Sequence, residues 1–193
     1  PVKLTSAFVA QKTNQYKASR KSVWNIDWLK ESLMDLSNGK CAYCECLLTK
    51  ESNYMEVEHF HDKNQYPDKV MDWNNLLPSC KHCNGHKLTH DVVAVPIVNP
   101  FIDNPSNHLY FQYFRYKAKD TKGENTISVL DLNDCERKLV DTRFEIGNAL
   151  QEALEEQLTK LDSYQNQPTV SKKNKLIGAV TCLLYTSPSP RDG

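Results

Sequence analysis

Glu58 and His59 stand side by side in "VEHFHDK", with His61 two positions on, and two short cysteine pairs flank them: Cys41 and Cys44 in "CAYC", Cys80 and Cys83 in "CKHC". A carboxylate beside a histidine can do proton chemistry or hold a cation, because imidazole titrates near neutral pH and a carboxylate is a hard oxygen donor. Two C-x-x-C pairs can set four thiolates around one tetrahedral zinc, each pair forming one edge. Zinc closed by four sulfurs has no open coordination position, so its expected role is structural and the chemistry falls to whatever it clamps. The bland alternatives are buried apolar cysteines, a solvated Glu58 and a surface or hydrogen-bonded histidine. A redox disulfide would call for a thioredoxin-like βαβ pattern, which neither pair has around it. Cys46, Cys135 and Cys182 are left over and read as structural or incidental.

The elements that must position these groups follow from the pattern between the pairs. "YMEVEHF" alternates, with Met55, Val57 and His59 pointing one way and Glu56, Glu58 and Phe60 the other, which predicts a strand over about 54–60. A polar loop with Tyr66 and Pro67 follows, then "WNNLL" pairs back, and "CKHCNGHKLTH" predicts a helix whose start carries the second cysteine pair, weakened by Gly85. Strand, loop, strand and helix around a metal is the expected core.

The ordered set of Glu-His, then Asn in "WNNL", then Asn directly after the second cysteine pair in "CKHCNGHK" resembles the HNH (ββα-metal) endonucleases in their four-cysteine zinc version. The likeness spans roughly 41–104, and "NPFIDNP" extends it to the HNH subunits of Septu-type and retron-associated antiphage systems. The resemblance implies phosphodiester hydrolysis in DNA, with His59 as general base toward an attacking water. It implies Glu58 and Asn84 as ligands of a catalytic Mg2+ or Mn2+, Asn75 orienting the loop and the histidine backbone, and one structural Zn2+ on the four cysteines. Lys87, three positions beyond Asn84 on the same helix face, could meet a phosphate oxygen. His61 could be a metal ligand, a phosphate contact or a loop histidine. His86 and His90, at i, i+4, are a rival metal pair to Asn84, and His82 is expected to be exposed. The implied partners are DNA and an ATPase subunit of a defence complex, with a retron RNA/DNA element as a further possibility.

Composition sets the frame. With 193 residues, 39% hydrophobic and 25% charged, the chain is of ordinary globular type, and 24 basic against 24 acidic residues leave no net charge, so any grip on nucleic acid must be local or shared. No signal-like or membrane-spanning run is visible and seven cysteines fit a reducing compartment, so a cytoplasmic protein without membrane contact is expected.

The fold class expected is α+β: a zinc-stapled ββα core (41–104), an N-terminal arm and helix (1–40) and an accessory region (105–183). In the first part, "SVWNIDWLKESLMDL" predicts a helix stopped at Asn38-Gly39, and the basic stretch with Lys12, Lys17, Arg20 and Lys21 reads as a solvated arm. In the accessory region, "HLYFQYFRYKAK" and "NTISVLDL" read as a hairpin turning at "DTKGEN", its aromatics either core or a stacking platform for single strands. The stretch 139–161 reads as one long amphipathic helix or two in series, capped by Asn133 or Asp134 and weakest at Gly147. The Ser/Pro-rich end, 184–193, resembles translated vector sequence and is set aside. Two other readings stay open: a catalytically silent zinc module binding nucleic acid or protein, and a stand-alone restriction or homing-type HNH nuclease.

Overall fold

Strand β1 (Met55–His59) pairs antiparallel with β2 (Leu76–Cys80), placing Glu58 opposite Leu77 and His59 opposite Leu76. The computed structural model describes residues 2–48, 54–136 and 139–186, the last six of them by backbone alone. The Cys182 side chain and the tail from 187 onward lie outside these. The chain divides into two compact units, 1–134 and 135–193, so the expected accessory region falls partly in each.

The β1–β2 pair is buried on both faces, which overrides the sequence alternation: from Val57 to His59 and throughout β2 every residue is inside. One face meets Tyr16, Val23, Leu29, Leu33, Val70 and Met71; the other meets the cysteine cluster with Tyr43, Phe60, Leu130 and Leu132. Leu76 serves the first cluster and Leu77 the second, as a period of two requires. Two short 3-10 turns, Pro67–Lys69 and Trp73–Asn75, carry the chain from β1 to β2.

The basic N-terminal stretch is not an arm. It forms α1 (Ser6–Ser19), capped by the Thr5 hydroxyl accepting from the Phe8 amide at 3.3 Å and anchored by buried Thr13 and Tyr16. Lys17 is engaged by Asp68 across the fold. Helix α2 (Asp27–Leu36) buries Leu29 and Leu33 and stops where Asn38 and Gly39 turn left-handed (φ 51° and 71°), as the sequence signal requires. Trp24, expected inside that helix, precedes it.

Helix α3 (Lys81–Lys87) starts where the Cys80 sulfur caps the Cys83 amide at 3.4 Å. After α4 (Pro105–His108), the hairpin is smaller than expected: β3 (Leu109–Gln112) pairs with β4 (Arg115–Ala118) across Tyr113-Phe114, both at positive φ. Tyr110, Phe111 and Tyr113 are exposed rather than core.

The segment read as turn and strand, "TKGENTISVL", is helix α5 (Thr121–Leu130), with the Asp120 carboxylate accepting from the Gly123 amide at 2.8 Å. A side chain at Gly123 would put its Cβ 2.2 Å from the His108 carbonyl oxygen, so only glycine lets the helix pass there. In the second unit, α6 (Leu139–Asn166) runs unbroken through Gly147 and packs on α7 (Val170–Thr186). Asn133, expected near the start of that helix, grips the Tyr116 backbone through both ends of its amide at 2.9 Å.

Candidate functional site

Cys41, Cys44, Cys80 and Cys83 converge. All four are buried, with ligand atoms within 4.8 Å of one another, a donor set that could hold a metal ion. Backbone amides of Cys80 and Cys83 donate to the sulfurs of Cys41 (3.3 Å) and Cys80 (3.4 Å), contacts that favour thiolate over thiol. The thiols divide their protons unequally. Cys41 is held low, chiefly by the hydrogen bond from Cys44, whereas Cys44 is pushed up to about 12 by Cys41. Cys80 is lowered to about 3, the opposing push of Cys41 being outweighed by Cys44, Cys46 and Cys83. Cys83 and Cys46 are pushed up, first by Cys41. Cys46, read in sequence as structural or incidental, packs against the cluster, and its carbonyl accepts from the Cys41 N–H at 2.9 Å. Four thiolates together need a cation to neutralise them, and a tetrahedral, soft-ligand ion such as zinc fits this set.

At the end of β1, His59 is 4% exposed and its Nε2 lies 3.1 Å from the Val70 carbonyl oxygen. A carbonyl only accepts, so Nε2 carries the proton in the neutral ring and Nδ1 keeps its lone pair. No hydrogen bond engages Nδ1 among the described residues. Burial lowers the His59 pKa to about 4, so the ring is neutral in ordinary buffers. The Trp24 ring stands edge-on to it, 4.5 Å between centroids at 77°.

Glu58 and Glu56 lie two apart on the strand face turned to α3, and both line an open cleft of about 330 Å³ with His59 and Asn84. Asn84 Nδ2 donates to Glu56 Oε2 at 2.6 Å, which leaves the amide oxygen of Asn84 for another partner. Glu58 is 4% exposed and its carboxyl pKa is raised, by burial first, with Lys87 opposing.

Lys87 is not on the surface to meet a phosphate. It is 1% exposed, its Nζ 2.6 Å from Glu58 Oε1 and donating to the His59 carbonyl at 2.8 Å. A carboxylate this deep needs a counter-charge, and the nearest helix supplies it. Lys30 and Lys63 are the cations that line the cleft.

Asn75, 1% exposed, ties the loop together: Oδ1 accepts from the His61 amide (2.7 Å), and Nδ2 donates to the carbonyls of His61 (3.2 Å) and Lys69 (3.0 Å). It reaches no group in the cleft and acts by positioning. His61 belongs to the same knot. With Asn75 Oδ1 3.1 Å from Nδ1, that nitrogen donates, so Nε2 accepts from Lys69 Nζ at 3.2 Å. His82 is buried rather than exposed, and the i, i+4 pair that meets is His82 with His86, at 4.3 Å between ring centroids. The His90 Nε2 lies 2.8 Å from the Val95 carbonyl instead.

Sequence reasoning missed Glu56 and Trp24 as cleft residues. The first was legible, since alternation puts it on the Glu58 face. The second sits beside His59 only through tertiary packing. No helix among the described residues is long and apolar enough to cross a membrane.

No family model matches the chain. It is similar to Septu protein PtuB of Bacillus thuringiensis, 44% identical over 177 residues, an alignment spanning 91% of this chain and 68% of that one. It is similar also to Septu protein PtuB of Bacillus mycoides strain KBAB4, 31% identical over 156 residues, covering 64% of this chain and 52% of the relative. With more than two thirds of the Bacillus thuringiensis protein covered at that identity, the chain belongs to the Septu PtuB family.

Proposed function

We propose that this protein is a metal-dependent HNH endonuclease that hydrolyses phosphodiester bonds in DNA, as the nuclease component of a Septu-type antiphage system working beside an ATPase subunit. The observation that carries the reading is the His59 ring, anchored through Nε2 to the Val70 carbonyl with Nδ1 unengaged at a cleft shared by two carboxylates and an amide. A purely structural histidine has no need of that oxygen-rich neighbourhood.

In this reading Nδ1 of His59 takes the proton of a water as its oxygen attacks phosphorus and the bond to the leaving oxygen breaks. The ring must be neutral to do so, and its buried setting keeps it so. Val70 and Trp24 hold the ring in place, and Asn75 fixes the loop that begins with His61. Glu58 and the Asn84 amide oxygen would hold a hard divalent cation, Mg2+ or Mn2+, with Glu56 on the same side; oxygen donors of this kind suit such an ion. When bound, that ion supplies positive charge for the scissile phosphate and the leaving oxygen. Lys30 and Lys63, which line the cleft, take the phosphate-contact role in place of the buried Lys87. Cys41, Cys44, Cys80 and Cys83 would hold a zinc ion, which would tie the start of α3 to the loop after α2 and so keep Asn84 opposite β1.

The test is cleavage of supercoiled plasmid and single-stranded DNA by the wild type and His59→Ala, with EDTA, Mg2+ or Mn2+, with and without the ATPase subunit. Loss of a general base costs roughly 10²–10⁴-fold in rate. Metal-dependent cutting that His59→Ala reduces by that factor supports the reading. Equal cutting by both proteins, or none with the partner present, leaves a silent zinc module as the better description.

A further inference from the structure

A second group of metal-ligating side chains lies on the other side of α3, away from the cleft. His82 and His86, four apart on that helix, face Asp131, the residue that ends α5, and their ligand atoms lie within 4.8 Å of one another. We propose that His82, His86 and Asp131 form a second metal site, for a borderline divalent transition ion of the zinc class, separate from the four-cysteine cluster.

The hydrogen-bond accounting of His82 is the independent observation. Its side chain is 6% exposed, and both ring nitrogens look at oxygen acceptors: Nε2 at the Asp131 carbonyl, 3.3 Å away, and Nδ1 at Asp134 Oδ2, 3.8 Å away. Nδ1 has no hydrogen-bond partner. A neutral imidazole carries one proton, so one of its nitrogens must present a lone pair to an oxygen. A cation next to the ring removes the conflict. One coordinating nitrogen and one N–H pointing at a carboxylate is the usual arrangement of a metal-bound histidine and its supporting acid.

His86 adds to this. Its Nε2 is 4.0 Å from Asp131 Oδ2, too long for a hydrogen bond and close to the spacing of two ligands on one ion. Two donors at zinc–ligand lengths stand about 3.4 Å apart on a tetrahedron. The 42%-exposed His86 has the freedom to close the difference. Asp131 sits in the left-handed region (φ 46°, ψ 52°) at the end of α5, where aspartate is tolerated. Two imidazoles and one carboxylate select a zinc-class ion over magnesium or calcium, and three protein ligands leave one position open. An ion here would tie α3, which carries Cys83 and Asn84, to the end of α5.

The experiment is a cobalt(II) titration of the full chain with its cysteine cluster already filled with zinc, followed by absorbance. The expected result is one saturable equivalent of cobalt showing ligand-field bands without sulfur-to-cobalt charge transfer. His86→Ala should weaken it at least tenfold, and Asp131→Asn, which keeps a residue suited to the left-handed turn, should do the same. His90→Ala should leave the affinity unchanged, and the melting of the zinc-loaded variants without cobalt should match the wild type. If His86→Ala fails to fold, Asp131→Asn decides. Absence of a second equivalent, charge-transfer bands in it, or an affinity untouched by His86→Ala or Asp131→Asn overturns the proposal.

Discussion

The two ends of one seven-residue helix hold opposite solutions to the same electrostatic problem. At its start, Cys80 and Cys83 join Cys41 and Cys44 in a buried set of like donors. At its far end, buried Glu58 already has its counter-ion in Lys87, and Asn84 has Glu56. The first site is incomplete without a metal and closed once it has one. The second is satisfied without an ion, yet opens on a cleft, so the cation proposed there could come and go without undoing the fold. In the proposed reading the two ends differ as scaffold and workplace: one would hold its ion for the fold, the other would keep its donors in balance until substrate is bound.

The largest effect belongs to the cysteine end. Removing the metal with a strong chelator, or replacing Cys80 with Ser, should unfold the first unit, because structural zinc contributes on the order of 10 kcal/mol to small domains that depend on it. Loss of the near-UV circular dichroism of Trp24, Trp28 and Trp73, restored by added zinc in the wild type and not in Cys80→Ser, would be the sign. Metal uptake should also release protons from the thiols held protonated, Cys44 and Cys83. A chelated protein that keeps its tertiary signal would erase the contrast between the two ends.

Next in size is the buried pair. Lys87→Met should cost about 3–5 kcal/mol, because it strands a carboxylate that is 4% exposed. Burial already raises the Glu58 carboxyl, and without Lys87 it rises further. A folded-state value above the unfolded one means the native state binds more protons, so the variant's deficit should grow as pH rises above 4.5. Glu58→Gln in the same chain should recover most of the loss in a urea titration. If Lys87→Met is as stable as the wild type, the pair is not the balance described above.

Much of this was legible from spacing alone, and the failures have physical causes. Cysteine pairs, the β1 strand, the return strand and the helix start are local patterns whose geometry follows from sequence separation. Helix α5 was misread because Ile127, Val129 and Leu130 look like a strand, whereas buried Gly123, Thr126 and Leu130 follow a helical period and Asp120 caps it. The Thr126 hydroxyl, accepting from the Val98 amide at 2.8 Å, shows tertiary contact deciding the matter. Lys87 was placed on the correct helix, but which side of a two-faced sheet that helix would cover is not encoded in a local period. The same holds for Trp24 beside His59, a contact between residues that the fold alone brings together.

The pH response of His59 is smaller. Its folded value, about 4, lies below its ordinary 6.5, so between these the unfolded chain binds more protons than the native one and stability rises with pH. Falling from pH 7 to pH 5 should remove about 2 kcal/mol, and His59→Gln should flatten that part of the slope when both proteins are compared with zinc in excess. Equal slopes would mean that the ring is wetter than its packing against Trp24 indicates.

The smallest effect on the fold separates Glu56 as a ligand from Glu56 as a prop. Glu56→Gln keeps a carbonyl oxygen for the Asn84 amide and so keeps that 2.6 Å contact, but removes a charge from the cleft. Stability should stay within about 0.5 kcal/mol of the wild type. The Mg2+ or Mn2+ concentration for half-maximal DNA cleavage should nevertheless rise several-fold, because a hard cation loses one of two anionic neighbours. Glu56→Ala should go further and slow cleavage at saturating metal, since Asn84 is then no longer oriented. If Glu56→Gln leaves the metal requirement unchanged while Glu56→Ala still slows the reaction, Glu56 only steers Asn84. The cleft then resembles the cysteine end more closely, one residue holding another so that the one ligand of the pair points the right way.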